Sequence, residues 1–247
     1  MLKTERKRLI MDKITLDDYV VLEDLVALLE TSESTVRRDL DELEAEGKLH
    51  RVHGGAEKLH ALQEEPSIRQ KSIKNVQSKK ALVQKAAELI QDGDVIFLDA
   101  GTTTELLIPH LNQEGLTVVT NAIHHAAELV DKNIKTLIIG GFIKNTTDAS
   151  VGHIAVEQVR RLNFDKAFLG MNGIDGEHVT TPEMEEAVVK RSIIASAKKA
   201  YILADSSKLG QVSFINVAPL ADITLITNRC DHPLLPIIKD KTGVIEV

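Results

Sequence analysis

The chain reads as an α/β protein in two parts, a short N-terminal winged helix-turn-helix and a larger C-terminal domain built on a parallel β-sheet. Three observations predict this. Apolar residues recur at helical spacing up to Glu46, interrupted by hydroxyl residues and closed by Gly47. A short alternating stretch follows and ends in the pair Gly54-Gly55. From Ser78 onward, four-residue apolar runs alternate with amphipathic segments, as in a sheet covered on both faces and wound by right-handed crossovers. The boundaries drawn from these patterns are 1–57 for the winged helix, 58–77 for a polar linker and 78–247 for the sheet domain.

In the first part, Leu9, Ile10 and Ile14 share one face of a helix starting near Glu5. The segment 14–20 breaks the pattern. Leu22, Leu25, Val26 and Leu29 resume it at i, i+3, i+4 and i+7. Ser32 is placed to cap a third helix over 34–46, whose Val36, Leu40 and Leu43 face the core, and Gly47 suits the position just past its end. The stretch 48–56 reads as a β-ribbon with a tight tip.

The third helix carries the chemistry. Ser34 and Arg38 fall opposite its apolar stripe, with Thr35 and Arg37 on the flanks. Short hydroxyl and guanidinium side chains near a helix N-terminus can reach base edges and phosphates in a major groove. Arg51 and His53 on the ribbon add candidate phosphate or minor-groove contacts. Bulk charge gives no support, since the formal net charge is −7 and residues 1–60 hold 10 Lys+Arg against 14 Asp+Glu. The acidic residues Asp39, Glu42, Glu44 and Glu46 are therefore expected to be solvated or turned away from nucleic acid.

The ordered set Arg6, Ile10, Ile14, Ser32, Thr35-Val36-Arg37-Arg38-Asp39-Leu40, Leu43, Gly47 and His53-Gly54-Gly55-Ala56 closely resembles the N-terminal signature of DeoR-family bacterial regulators. The resemblance spans some fifty residues and implies that Thr35, Arg37 and Arg38 lie on a recognition helix. It also implies a transcriptional repressor that binds double-stranded operator DNA as a homo-oligomer, dimer or tetramer.

In the second part the apolar runs are 95–98, 116–119, 136–139, 166–169, 200–203 and 223–226. Helices are expected at 79–91, 105–112, 124–132, 153–161 and 182–199. Ligands of open α/β sheets bind beyond the carboxyl ends of strands. The strongest such loop is Asp99-Ala100-Gly101-Thr102-Thr103-Thr104-Glu105, where a close-turning glycine, hydroxyl donors and free helix N–H groups form a cradle for an anion. It is not a Walker loop, because no Gly-Lys-Ser/Thr closes it. Asn121, Gly141, Lys144, Asn172, Gly173, Asp175, Asp205 and Lys208 occupy the other strand ends. Lys190 and Lys208 are candidates to counter phosphate charge, and Asp99, Asn121 and Asp175 to bind sugar hydroxyls.

This half is similar to the DeoR sensor domain, which resembles ribose-5-phosphate isomerase in fold. The likeness implies a phosphorylated sugar as effector, and it raises the alternative of an isomerase-like enzyme with an accessory DNA-binding domain. Asn172 stands where the isomerase loop has its first aspartate, and the position of the catalytic base falls on or beside Arg191. An amide cannot abstract a proton, so binding without turnover is the expectation, with Glu185 and Glu186 the nearest carboxylates. The stretches 72–77, 140–150 and 166–173 resemble the fructose-operon repressors of Gram-positive bacteria, which implies fructose 1-phosphate as inducer. No cofactor or metal is expected. There is no apolar run of about 18 residues, no signal-like N-terminus, and Cys230 is the single cysteine, so a cytoplasmic protein without a membrane span is expected.

Overall fold

A computed structural model describes residues 2–17, 19–52, 54–58, 62, 63 and 65–247, with the side chains of Val52 and Glu57 outside that description. The chain forms two compact units, Met1–Ala61 and Leu62–Val247.

The first unit holds three helices, Lys3–Asp17, Leu22–Leu29 and Glu33–Ala45. The strands Leu49–Val52 and Gly55–Lys58 form the expected ribbon, and Tyr19–Val21 adds a third antiparallel strand to it. That strand comes from the segment expected only to interrupt the first helix, which instead runs on to Asp17. Ile10, Ile14, Leu25, Val36, Leu40, Leu43 and Leu49 are at most 1% exposed and fill the centre. Ser32 accepts the Thr35 N–H as the N-cap, and Gly47 takes φ 66° just past the helix end, where its N–H reaches the Glu44 carbonyl. A left-handed residue there costs glycine no steric strain.

The second unit is organised by seven parallel strands in the spatial order Gly243–Glu246, Thr224–Thr227, Ala200–Leu203, Lys166–Leu169, Val95–Leu98, Thr117–Thr120, Lys135–Ile138. Alternate side chains feed two apolar layers. Phe97, Val119 and Leu169 face one, with Phe164, Val189 and Ile193, while Ile96, Leu98, Val118 and Phe168 face the other, with Leu82, Leu107 and Ile108. Six strands are those expected from the apolar runs. The strand Gly243–Glu246, the hairpin Phe142–Lys144/Ala149–Val151 and a small sheet of Gly173–Ile174, His178–Thr181 and Ile215–Pro219 were not expected.

From Val95–Leu98 the chain adds strands towards one edge, and from Lys166–Leu169 towards the other. These two neighbours are the switch point of the sheet, and their carboxyl ends, at Asp99 and Gly170, open the crevice where such folds take ligands.

Candidate functional site

Two regions bring the predicted residues together, one in each unit. In the first unit the N-terminal half of Glu33–Ala45 presents Ser34, Arg37 and Arg38 as exposed residues, with Thr35 half-buried. The Ser32 hydroxyl links the Thr35 and Ser34 hydroxyls at 2.8 and 3.0 Å, fixing the first turn. Arg37 pairs with Glu33 at 2.6 Å, one turn back on the same face. Arg38 makes no ion pair with a described residue and projects into solvent. Arg51, expected to reach DNA, instead folds back onto Asp41 and the Arg37 carbonyl, with its side chain 20% exposed. It buttresses the helix. His53 lies outside the described residues.

On the acidic face, Asp39 is turned inward, not solvated: it is 1% exposed and accepts Arg6 Nε at 2.6 Å and a second guanidinium N–H at 3.2 Å. Glu42 takes Lys3 and Lys7 at 2.6 and 2.8 Å, and Glu46 takes Lys7 and Lys48, both at 2.7 Å. The lysines lower both carboxyls, Glu46 to about 2. The first helix thus neutralises the back of the third, which is how an acidic segment can present a locally basic face.

In the second unit the crevice is built around Asp99 and Lys190, which are 1% and 5% exposed and form an ion pair. Asp99 also accepts the Gly170 N–H at 3.3 Å, and Lys190 donates to the Gly170 carbonyl at 3.2 Å. The pair therefore bolts together the two switch-point strands. Burial raises the Asp99 carboxyl, with the Lys190 charge opposing it; the ammonium stays charged despite burial because Asp99 and Glu186 hold it.

The loop after Asp99 is shaped from behind. Thr104, fully buried, donates its hydroxyl to the Asp99 and Gly101 carbonyls at 2.6 and 2.8 Å. Asn121 accepts the Ala100 N–H at 2.9 Å and donates to the Ser150 carbonyl at 3.3 Å. Burial pushes the imidazole of His125 down to about 4, with the Gly101 backbone opposing the fall, so it is neutral. Thr104 and Asn121 were expected to touch ligand; their polar groups are instead spent on holding Gly101, Thr102 and Thr103 in place.

Other predicted residues divide similarly. One oxygen of the Asp175 carboxylate accepts the Glu177 and His178 N–H groups, both at 2.6 Å, and closes a turn. Gly141 and Gly173 are required by packing. A Cβ would stand 2.7 Å from Val151 O at the first and 2.2 Å from Gln211 O at the second. Asp205 caps Ser206–Lys208 and accepts Asn75 at 2.9 Å. Asn172 receives the Thr181 hydroxyl at 3.1 Å, and Arg191 is pinned to the Val217 and Asn216 carbonyls. Glu186 is 7% exposed, with Thr147 Oγ1 at 2.7 Å and Lys144 Nζ at 3.0 Å on one carboxylate oxygen.

Two residues were missed. Lys79, from the helix Val76–Ala87, is 6% exposed and donates to Thr102 Oγ1 at 3.1 Å and to the Lys71 carbonyl. It makes no ion pair with a described residue. Burial lowers its ammonium to about 8, with Lys208 and Lys71 adding to the fall and Asp205 resisting it. Glu65, expected to be linker, sits between Lys71 at 2.8 Å and Lys144, its side chain 7% exposed. Lys79 had a signal: with Leu82, Val83 and Ala86 it completes an i, i+3, i+4, i+7 stripe, so a charge stands in an apolar register. Glu65 had none.

A DeoR-like helix-turn-helix domain matches residues 6–61, and a DeoR C terminal sensor domain matches residues 74–229. The chain is 42% identical over 246 residues to the HTH-type transcriptional regulator FruR of Bacillus subtilis, covering 99% of this chain and 98% of that one. It is 35% identical to the lactose phosphotransferase system repressor of Streptococcus mutans, over 99% of this chain and 100% of that one. Among solved structures, ribose 5-phosphate isomerase A of Methanocaldococcus jannaschii overlaps 55% of each chain at 17% identity and a TM-score of 0.42.

Proposed function

The chain belongs to the DeoR family of helix-turn-helix transcriptional regulators, and from that premise we propose that it is a repressor released from operator DNA by a phosphorylated sugar held in the crevice around Lys79 and Thr102. The observation that carries this reading is Lys79, a buried ammonium lacking an ion pair among the described residues, beside Lys71 and Lys208, at the turn that opens with Gly101. Leaving a cation so placed is costly to folding. A phosphate dianion there would gain charge-assisted hydrogen bonds from Lys79, Lys208, the Thr102 and Thr103 hydroxyls and the N–H groups after Gly101. The Asp99–Lys190 pair and Asn172 stand at the neighbouring strand ends, where the sugar would lie.

The same chemistry favours binding over turnover. Glu186 is held by Lys144 and Thr147, Arg191 is tied to strand carbonyls, and Asn172 offers only an amide. Glu186 is the one carboxylate among these, and its Oε1 already accepts from Lys144 and Thr147. The relatives carry the names of transcriptional regulators and repressors, one of them of a lactose phosphotransferase system, which supports a sugar-utilisation operon as target. The likeness to fructose-operon repressors supports fructose 1-phosphate as the inducer. The protein works in the cytoplasm as a dimer or tetramer, its paired third helices spaced to match operator half-sites.

Isothermal calorimetry with fructose 1-phosphate, fructose 6-phosphate and unphosphorylated fructose tests the ligand. One phosphorylated sugar is expected to bind and free fructose to give no heat; equal binding of fructose with and without phosphate would refute the anion subsite. On the DNA side, Arg38→Ala is expected to weaken operator binding about 5- to 150-fold, measured at fixed salt. Arg51→Ala is expected to act mainly through the stability of the first unit.

A further inference from the structure

Glu65 is an anion held between two lysines of the second unit. Its carboxylate is buried between Lys71 and Lys144, and Lys144 in turn reaches Glu186 at the crevice wall. The segment that carries it, described over residues 62, 63 and 65–73, is fastened to the rest of the second unit by four polar ties among the described residues. The Phe214 N–H donates to the Leu62 carbonyl at 2.9 Å, and the Ile68 N–H to the Thr146 carbonyl at 3.2 Å. Glu65 binds Lys144, and the Lys71 carbonyl accepts from Lys79. Between them stands the helix Ile68–Ile73, set by a capping box of Ser67 and Gln70. Two of the four ties therefore end on lysines of the crevice, and this strap is the stretch of chain that leaves directly for the winged-helix unit.

We propose that Glu65 is an internal counter-anion for the crevice lysines, displaced when a phosphate group binds, and that release of the strap 62–73 is what carries effector binding towards the DNA-binding unit. The inference rests on the crevice being the effector site. Lys79 gives two of its three N–H donors to the Lys71 carbonyl and Thr102, so a phosphate that takes more than the third competes with the strap, and Lys144 and Lys71 are drawn to whichever anion carries more charge. A phosphate dianion outcompetes a single carboxylate on charge. By linkage, whatever the ligand loses in displacing the strap, the strap loses in the presence of ligand.

The test uses the full-length protein, with inorganic phosphate and fructose 1-phosphate as probes. Removing the charge at Glu65 while keeping its shape, in Glu65→Gln, is expected to tighten binding of both about tenfold. In wild type, millimolar phosphate is expected to speed amide hydrogen exchange in residues 66–73. In Glu65→Gln that exchange is expected to be fast already and to gain little from phosphate. Weaker binding by Glu65→Gln, or protection of 66–73 by phosphate in wild type, would overturn the proposal, since the strap would then close on the ligand. If phosphate binding is insensitive to Lys79→Met, the crevice reading itself falls. If binding needs Lys79 yet strap exchange does not move, only the strap proposal falls.

Discussion

Lys190→Ala is expected to destabilise the C-terminal unit by about 3–5 kcal/mol, because it leaves the Asp99 carboxylate buried without its counter-charge. Asp99 is 1% exposed, and its remaining contact is the Gly170 N–H. The loss falls on the joint between Val95–Leu98 and Lys166–Leu169, so it should appear in the unfolding of the whole sheet and not as local fraying. Neutralising both partners with similar volumes, in Asp99→Asn/Lys190→Met, is expected to restore most of the stability, since removing a buried pair costs far less than breaking it. Equilibrium urea unfolding followed by circular dichroism measures both. A loss below about 1 kcal/mol for Lys190→Ala would mean that the pair is not the bolt described here.

Lys79→Met is expected to show the opposite signature. Methionine keeps the volume and removes a buried cation with no ion-pair partner among the described residues, so stability should hold or rise. Affinity for the sugar phosphate should fall about 10- to 100-fold, the value of a charge-assisted hydrogen bond to a ligand. The pH dependence has a definite sign. The folded-state ammonium lies near 8, below its ordinary value of 10.5, so between those values the unfolded chain binds more protons and stability from this group rises with pH. Ligand affinity moves the other way and should decline above about pH 8, as Lys79 loses the proton that attracts phosphate. In Lys79→Met that decline should vanish. Calorimetry across pH 7–9 reads both effects, and an unchanged affinity in the variant would remove Lys79 from the site.

The frame of both units was legible because it is written in periodicity. Val36, Leu40 and Leu43 repeat at helical spacing, and Val95–Leu98, Lys166–Leu169 and Ala200–Leu203 are short runs apolar on both faces. The strand Gly243–Glu246 escaped notice although Val244-Ile245 carries the same texture, and Gly173–Ile174 is too short to show a period. At the crevice, the strand-end rule located the loop of Asp99 and Gly101, but it could not say which polar groups face outwards. Thr103 and Thr104 are adjacent in sequence, yet Thr104 is turned inward to two carbonyls. Asp175 and Asp205 were read from their place at strand ends, and each serves nearby backbone N–H groups in a turn or cap. Pairings across the chain, such as Arg6 with Asp39 and Glu65 with Lys144, depend on tertiary neighbours that no local pattern encodes.

In the proposed function, one anion-binding crevice in the C-terminal unit governs the grip of the N-terminal unit on DNA. Fluorescence anisotropy of labelled operator, drawn from the promoter region beside the gene and titrated with fructose 1-phosphate at fixed salt, tests it most directly. The account predicts that the sugar phosphate lowers operator affinity about 5- to 150-fold in wild type and has no effect in Lys79→Met at the same concentrations. Tight operator binding unmoved by any phosphorylated sugar would contradict it, leaving a DNA-binding unit whose crevice serves another purpose.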